Sequence, residues 1–157
     1  MAKPAKTIAM HQLDKTGLPY EPFWYDVPTF DCDEAAAVRG LSVSQIVKSL
    51  LVELPGKRYC LALLQGDRKL SLHKLGTVTG LKGLAMVKHE EVATITGYDP
   101  GSVCPFGLKR RLPIYLDQAV LEQEMVSISG GSHETEIRLR PADLARASGA
   151  RVVDIAQ

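Results

Sequence analysis

The chain has 157 residues, 45% of them hydrophobic and 24% charged, with a formal net charge of +1. That length can bury an ordinary core without metal or disulfide staples, so a single domain over 1–157 is expected. The near-zero charge gives no global bias towards nucleic acid, and no run approaches the ~18 apolar residues of a membrane span, so no membrane partner is expected.

Three cysteines, Cys32, Cys60 and Cys104, sit at wide spacings with no CxxC or Cys/His pattern. No secretory apolar stretch opens the sequence, so they read as reduced thiols of a cytoplasmic protein. Residues 5–16 suggest a first helix with Ala9, Met10 and Leu13 on one side, stopped by Gly17 and Pro19. The aromatic run Glu21–Tyr25 is extended, and Pro22 argues for an edge strand. Asp31 and Asp33 can cap a short helix over 34–39 that Gly40 ends, and Ser42 or Ser44 starts another turn.

A strand over 46–54 pairs with a second, 58–64, through Pro55-Gly56-Lys57. Alternation places Lys48 on the same face as Leu50, Val52 and Leu54. A lysine on an apolar face must reach water or a partner. It either snorkels at the strand end or aims a cation into a cleft. Ser71 caps a helix carrying Leu72, Leu75 and Val78, Leu84–Val87 is strand-like, and 90–96 is helical up to Gly97. Strands are read at 112–116, 125–129 and 135–139, then a helix from Pro141 to Gly149 and a short terminal run, 151–155. Hairpin-linked strands among helices favour a mixed α/β domain over a doubly wound parallel sheet.

The densest punctuation is Gly97-Tyr98-Asp99-Pro100-Gly101-Ser102-Val103-Cys104-Pro105-Phe106-Gly107. Such a loop has a fixed shape, serving as a rigid corner or as a cradle of main-chain groups. Nucleophile elbow, Walker loop and metal motif are all missing, and no metal or cofactor is expected. Cys104 could act as a nucleophile, although no histidine can be assigned to it. His11, His73 and His89 read as surface residues, and His133, beside Gly130-Gly131, as a turn or cleft residue. A cleft of peptide groups with one lysine suits a substrate that is already activated, such as an ester.

Val47-Lys48-Ser49-Leu50-Leu51-Val52, Asp67–Leu75, Thr96–Gly107 and Ser129-Gly130-Gly131 resemble, in order and spacing, blocks of YbaK-type proteins, free-standing relatives of the prolyl-tRNA synthetase editing domain. The resemblance covers about 5–155 and implies a mixed, largely antiparallel curved sheet wrapped by helices. It also implies hydrolysis of mischarged aminoacyl-tRNA without a cofactor. Lys48 maps to the family's key lysine and Gly101 to Pro105 to its Gly-x-x-x-Pro loop, with Gly101 contributing to catalysis. Tyr25 matches the early-strand tyrosine. Around the ester, the expected lining is Val47, Ser49, Leu50, Ser102, Pro105, Phe106, Ser129 and Gly130, with Val47, Leu50 and Phe106 setting pocket size. His133 is placed like the histidine of the synthetase editing domain. Lys109, Arg110 and Arg111 are either a grip on the tRNA acceptor end or a solvated turn. Implied partners are aminoacyl-tRNA and prolyl-tRNA synthetase, with alanyl, cysteinyl, seryl and threonyl esters all open as substrates. A non-catalytic tRNA- or synthetase-binding adaptor is the competing reading, and oligomeric state is not legible.

Overall fold

The computed structural model describes residues 4–157. Its strands form two sheets. The smaller contains β1 (Glu21–Trp24), β7 (Thr135–Leu139) and β6 (Val126–Ser129), in that order and antiparallel throughout. Pro22 lies on the outer strand β1, opposite Ile137, where a missing N–H costs least. The larger runs β4 (Ala85–Met86), β2 (Val47–Leu54), β3 (Arg58–Gln65), β5 (Ile114–Asp117) and β8 (Arg151–Val153). Here β2 pairs antiparallel with β3 and β4, while β3–β5 and β5–β8 are parallel. The architecture is the expected mixed α/β class, with two refinements. There are two sheets, and one flank of the larger is parallel, with β5 lying parallel to β3 and the terminal run docking parallel to β5.

β3 is an almost unbroken apolar run, Cys60 to Leu64, because both faces of the large sheet are covered. Leu61 and Leu63 join Val47 and Leu51 in the main core, which also holds Ala9, Met10 and Leu13 of helix α1 (Ile8–Thr16). Cys60 and Ala62 face the other way with Val52, Leu54 and Leu75 of α3 (Leu72–Thr79). Two further helices, α4 (Val92–Thr96) and α5 (Pro141–Ser148), add Val92, Ile95 and Leu144 to the main core.

Helix α2 (Cys32–Arg39) begins two residues earlier than its composition suggested. Asp31 is its cap, its carboxylate accepting the Glu34 N–H at 2.8 Å. Gly40, in the left-handed region, ends it. The two sheets share the main core, to which β6 and β7 give Val126, Ile128, Ile137 and Leu139, and one parallel bridge joins their backbones, Ile46 to Ser127. Past that rung, residues of β2, β6 and α2 border a gap. No helix among the described residues is long and apolar enough to cross a membrane.

Candidate functional site

The gap is a hollow of about 390 Å³. One wall is the segment Thr29–Asp33 with Ala35 and Arg39 of α2; another is Ile46 to Leu50; Gly66, Gly101, Val103 and Ser129 close it. Lys48 and Gly101, far apart in sequence, line this same hollow.

Lys48 lies on the strand face that alternation assigned to it, at the end of β2 where the second core, that of Val52, Cys60, Ala62 and Leu75, stops. It is half-buried, and Nζ donates one long bond, 3.4 Å, to the Gly66 carbonyl. One loose tether leaves the ammonium available to another acceptor. The Gly66 N–H donates to the Ile46 carbonyl at 2.7 Å, which fixes the phase of the ladder. In an antiparallel pair the bonded residues alternate, so Lys48 and Leu50 turn their main-chain groups towards β3. Val47 and Ser49 turn theirs outward. β4 pairs with this edge at Val52 and Glu53, and the Val87 N–H donates to the Leu51 carbonyl at 3.2 Å, so the cover stops short of the outward peptide groups of Ser49. The Ser49 hydroxyl is itself buried with no hydrogen-bond partner among the described residues.

Gly101 has φ +85, and a Cβ there would sit 2.8 Å from the Phe30 carbonyl oxygen. Both facts require glycine: the backbone turn, and the close approach of two main chains that form adjoining walls. His133 is a brace behind this corner rather than part of the lining. Its Nδ1 donates to the Thr29 carbonyl at 3.1 Å, Nε2 lies 3.8 Å from an Asp99 carboxylate oxygen, and its ring stands 4.6 Å from that of Phe30. Phe30 is 58% exposed at the mouth of the hollow.

The remaining sequence candidates divide. Val47, Ser49, Leu50 and Ser129 line the hollow. Ser102 is buried and internal to the loop: its N–H and hydroxyl both donate to the Asp99 carbonyl at 3.0 Å, and its own carbonyl accepts from Ser129 Oγ at 2.9 Å. Pro105 and Phe106 lie outside the lining, with Phe106 in the main core, because the loop tucks under α1 and Tyr98 donates to the Phe106 carbonyl. Gly130 is packed against α1: its N–H donates to the Thr135 carbonyl at 3.1 Å, and its carbonyl accepts from the Thr7 hydroxyl at 2.6 Å. Neither group is left to hold an ester. Tyr25 borders a different cavity and donates its hydroxyl to buried Glu136.

Lys109, Arg110 and Arg111 stand elsewhere. Arg110 lies over the Tyr59 ring at 4.9 Å, near the hairpin tip. Lys48 and Leu54 are at opposite ends of β2, about 20 Å apart at ~3.3 Å per residue. Cys104 is fully buried and burial pushes its thiol up to about 12, which removes it as a nucleophile.

The sequence reading missed the whole wall at Thr29–Asp33 and α2, where two side chains bring chemistry, Arg39 and Cys32. Arg39 lines the hollow and donates Nη1 to the Ser127 hydroxyl at 3.0 Å. Cys32 also lines the hollow; burial pushes its thiol pKa up, with the Lys48 charge opposing. Among the described residues no cluster could hold a metal ion.

Comparison with known proteins gives this geometry a family. Residues 26–147 match the family model described as "Aminoacyl-tRNA editing domain". The proline–tRNA ligase of Bacillus licheniformis is 33% identical over 114 residues, which are 73% of this chain and 19% of the ligase. The chain therefore spans about a fifth of that relative. A protein of Enterococcus faecalis named "Putative Cys-tRNA(Pro)/Cys-tRNA(Cys) deacylase EbsC" is 26% identical over 87% of this chain and 84% of its own length. A crystal structure titled as that of "a putative trans-editing enzyme for prolyl tRNA synthetase" superposes with a TM-score of 0.84 at 31% identity, covering 95% of this chain and 92% of the other. With a lysine and a glycine corner facing each other across one hollow, and with a family model matched over most of its length, the chain belongs to the aminoacyl-tRNA editing domain family.

Proposed function

We propose that this editing domain acts in trans as a deacylase, hydrolysing the ester of a mischarged tRNA that carries a small amino acid such as cysteine, alanine, serine or threonine. What carries the reading is the shared hollow of Lys48 and Gly101, roomy enough for a small acyl group and the ribose that bears it. The 3′ end enters between the Phe30 corner and the uncovered edge of β2. Water attacks the acyl carbon, and the outward N–H of Ser49 meets the charge that develops on the carbonyl oxygen. Lys48 stabilises the same developing charge. The bond from the acyl carbon to the ribose oxygen then breaks, the ribose oxygen takes the proton lost by water, and free amino acid and deacylated tRNA leave.

Specificity rests on the size of the hollow. One methylene is worth only ~1–3 kcal/mol in a binding pocket, so a synthetase that charges similar small residues gains from a second sieve of this kind. The test is a panel of Ala-, Cys-, Ser- and Thr-charged tRNAs alongside correctly charged Pro-tRNA. At least one mischarged species is expected to be hydrolysed faster than the prolyl ester. Tight tRNA binding with no hydrolysis of any member would overturn the reading in favour of an adaptor.

A further inference from the structure

The hollow contains a second cation that neither the family motifs nor the mechanism above uses, and a large part of the small sheet is built to hold it. Arg39 closes α2. Behind it Nη1 donates to Ser127 Oγ at 3.0 Å and Nη2 reaches the Thr135 carbonyl at 3.5 Å. Ser127 in turn donates to Glu136 Oε2 at 2.5 Å. Glu136 is 0% exposed and also accepts from the Tyr25 hydroxyl and from Arg138, whose Nε lies at 2.6 Å and Nη2 at 3.2 Å. The same Arg138 Nη2 donates to the main-chain carbonyl of Arg39 at 2.9 Å. Arg39 is thus fixed at both its backbone and its guanidinium.

Charge balance decides what this frame leaves over. The Glu136 carboxylate is matched by Arg138, which chelates it. Arg39, touching Glu136 only through the Ser127 hydroxyl, retains its positive charge on the hollow. Burial draws its proton affinity below the ordinary value, and the Glu136 carboxylate opposes that. Asp31 and Asp33 also line the hollow, but they stand at the opposite end of α2, about 12 Å and about 9 Å from Arg39 along the axis at ~1.5 Å per residue. The hollow is therefore polarised along this helix, with carboxylates at one end and a fixed guanidinium at the other.

We infer that Arg39 is the phosphate-binding residue of the site, holding the phosphodiester of the esterified terminal nucleotide while Lys48 serves the ester. This rests on the deacylase reading. In an aminoacylated 3′ end the α-ammonium and that phosphodiester lie on either side of the ribose, which matches the two poles of the hollow. A guanidinium keeps its proton, and with Nη1 and Nη2 each giving one hydrogen to the small sheet, the Nε–H and the remaining Nη hydrogens are left to meet phosphate oxygens. The ammonium of Lys48, on one long tether, is the mobile cation and suits a centre whose charge changes during reaction.

The experiment compares Arg39→Gln, which can keep the Ser127 contact without charge, with Arg39→Lys, which keeps the charge. Steady-state deacylation of the best substrate from the mischarged panel is measured across a salt series. The expected result for Arg39→Gln is a rise in KM of about tenfold with the loss not falling on kcat. Its salt slope should shrink by about 0.7, the value of one single-strand phosphate contact. Arg39→Lys should recover most of the KM. A Gln and a Lys variant with the same KM, or a loss carried by kcat, overturns the inference and leaves Arg39 a structural tie. As a second measurement, binding of adenosine 5′-monophosphate and of adenosine is compared in wild type and Lys48→Met. Preference for the phosphorylated ligand should survive in Lys48→Met; its disappearance would give the phosphate to Lys48 instead. Wild-type protein inactive on every mischarged tRNA would reject the deacylase reading, whereas activity with unaltered Arg39→Gln kinetics rejects only the phosphate assignment.

Discussion

The two ends of β2 carry the same kind of charge in opposite settings. At one end Lys48 is half-buried, tethered once and facing an enclosed gap. At the other, Arg110 and Arg111 stand in solvent beside the hairpin tip, with Arg110 over the face of Tyr59. An exposed cation in high dielectric attracts any phosphate within a Debye length and discriminates little. A cation in a partly dry hollow acts strongly, but only on what fits. One strand thus separates selection from attraction by keeping the two about 20 Å apart.

The strongest way to break this comparison is Lys48→Ala. Deacylation kcat/KM is expected to fall by about 10²–10³, the usual effect of removing one preorganised electrostatic contact. The thermal midpoint should be unchanged, since the side chain makes one long hydrogen bond. Full activity in this variant would end the assignment of the hollow as the reaction site.

Gly101→Ala comes next. A side chain at φ +85, with its Cβ 2.8 Å from the Phe30 carbonyl, costs on the order of 1–3 kcal/mol of strain. Denaturant unfolding should register that loss, and activity should fall with it because two walls must part. Unchanged stability would show that the corner is softer than its geometry implies.

Replacing Lys109, Arg110 and Arg111 together with Ala tests the other end of the strand. KM for whole mischarged tRNA should rise a few-fold at low salt and the difference should vanish at high salt. A minimal aminoacyl-nucleotide substrate should be hydrolysed as before. Equal losses on both substrates would mean that the basic turn shapes the hollow and is not a long-range attractor.

The smallest effect is the most local. Thiol alkylation requires the thiolate, so cysteines with raised pKa react slowly at pH 8 and faster as pH rises. Burial puts Cys60 at about 11 and Cys104 at about 12, and both are enclosed. Cys32, lining the hollow, is expected to react first, read by mass spectrometry. The Lys48 charge lowers the Cys32 pKa, so Lys48→Ala should slow labelling by a few-fold at fixed pH. Unchanged labelling would place the ammonium away from the hollow.

How far the site could be read from residues alone follows from which signals were local. Lys48 was visible because it interrupts an apolar strand face, and the 97–107 loop because glycine and proline are conspicuous. Most of the helices and strands were legible from caps, stops and alternation. Arg39 was not, since a basic residue in the last turn of a short helix looks like an ordinary partner for the helix dipole. Glu136 fell on the polar side of an alternating strand, yet it is fully buried because Tyr25, Ser127 and Arg138 converge on it from three separate segments. Phe106 misled in the opposite direction: an aromatic in a cradle-like loop turned inward because the core beneath α1 needed filling. Non-local convergence leaves no periodicity to detect.

The single rung between Ile46 and Ser127 has one more consequence. Two sheets joined by a single backbone rung and otherwise packed through one shared core owe their mutual angle to that core, and the gap they border is resized by altering the angle. Swapping a bulky core residue for a slimmer one beneath either sheet would change how large an acyl group the mouth admits, with every reacting group left in place. Relatives could thus exchange one amino-acid preference for another through the interior packing, without rebuilding the chemistry.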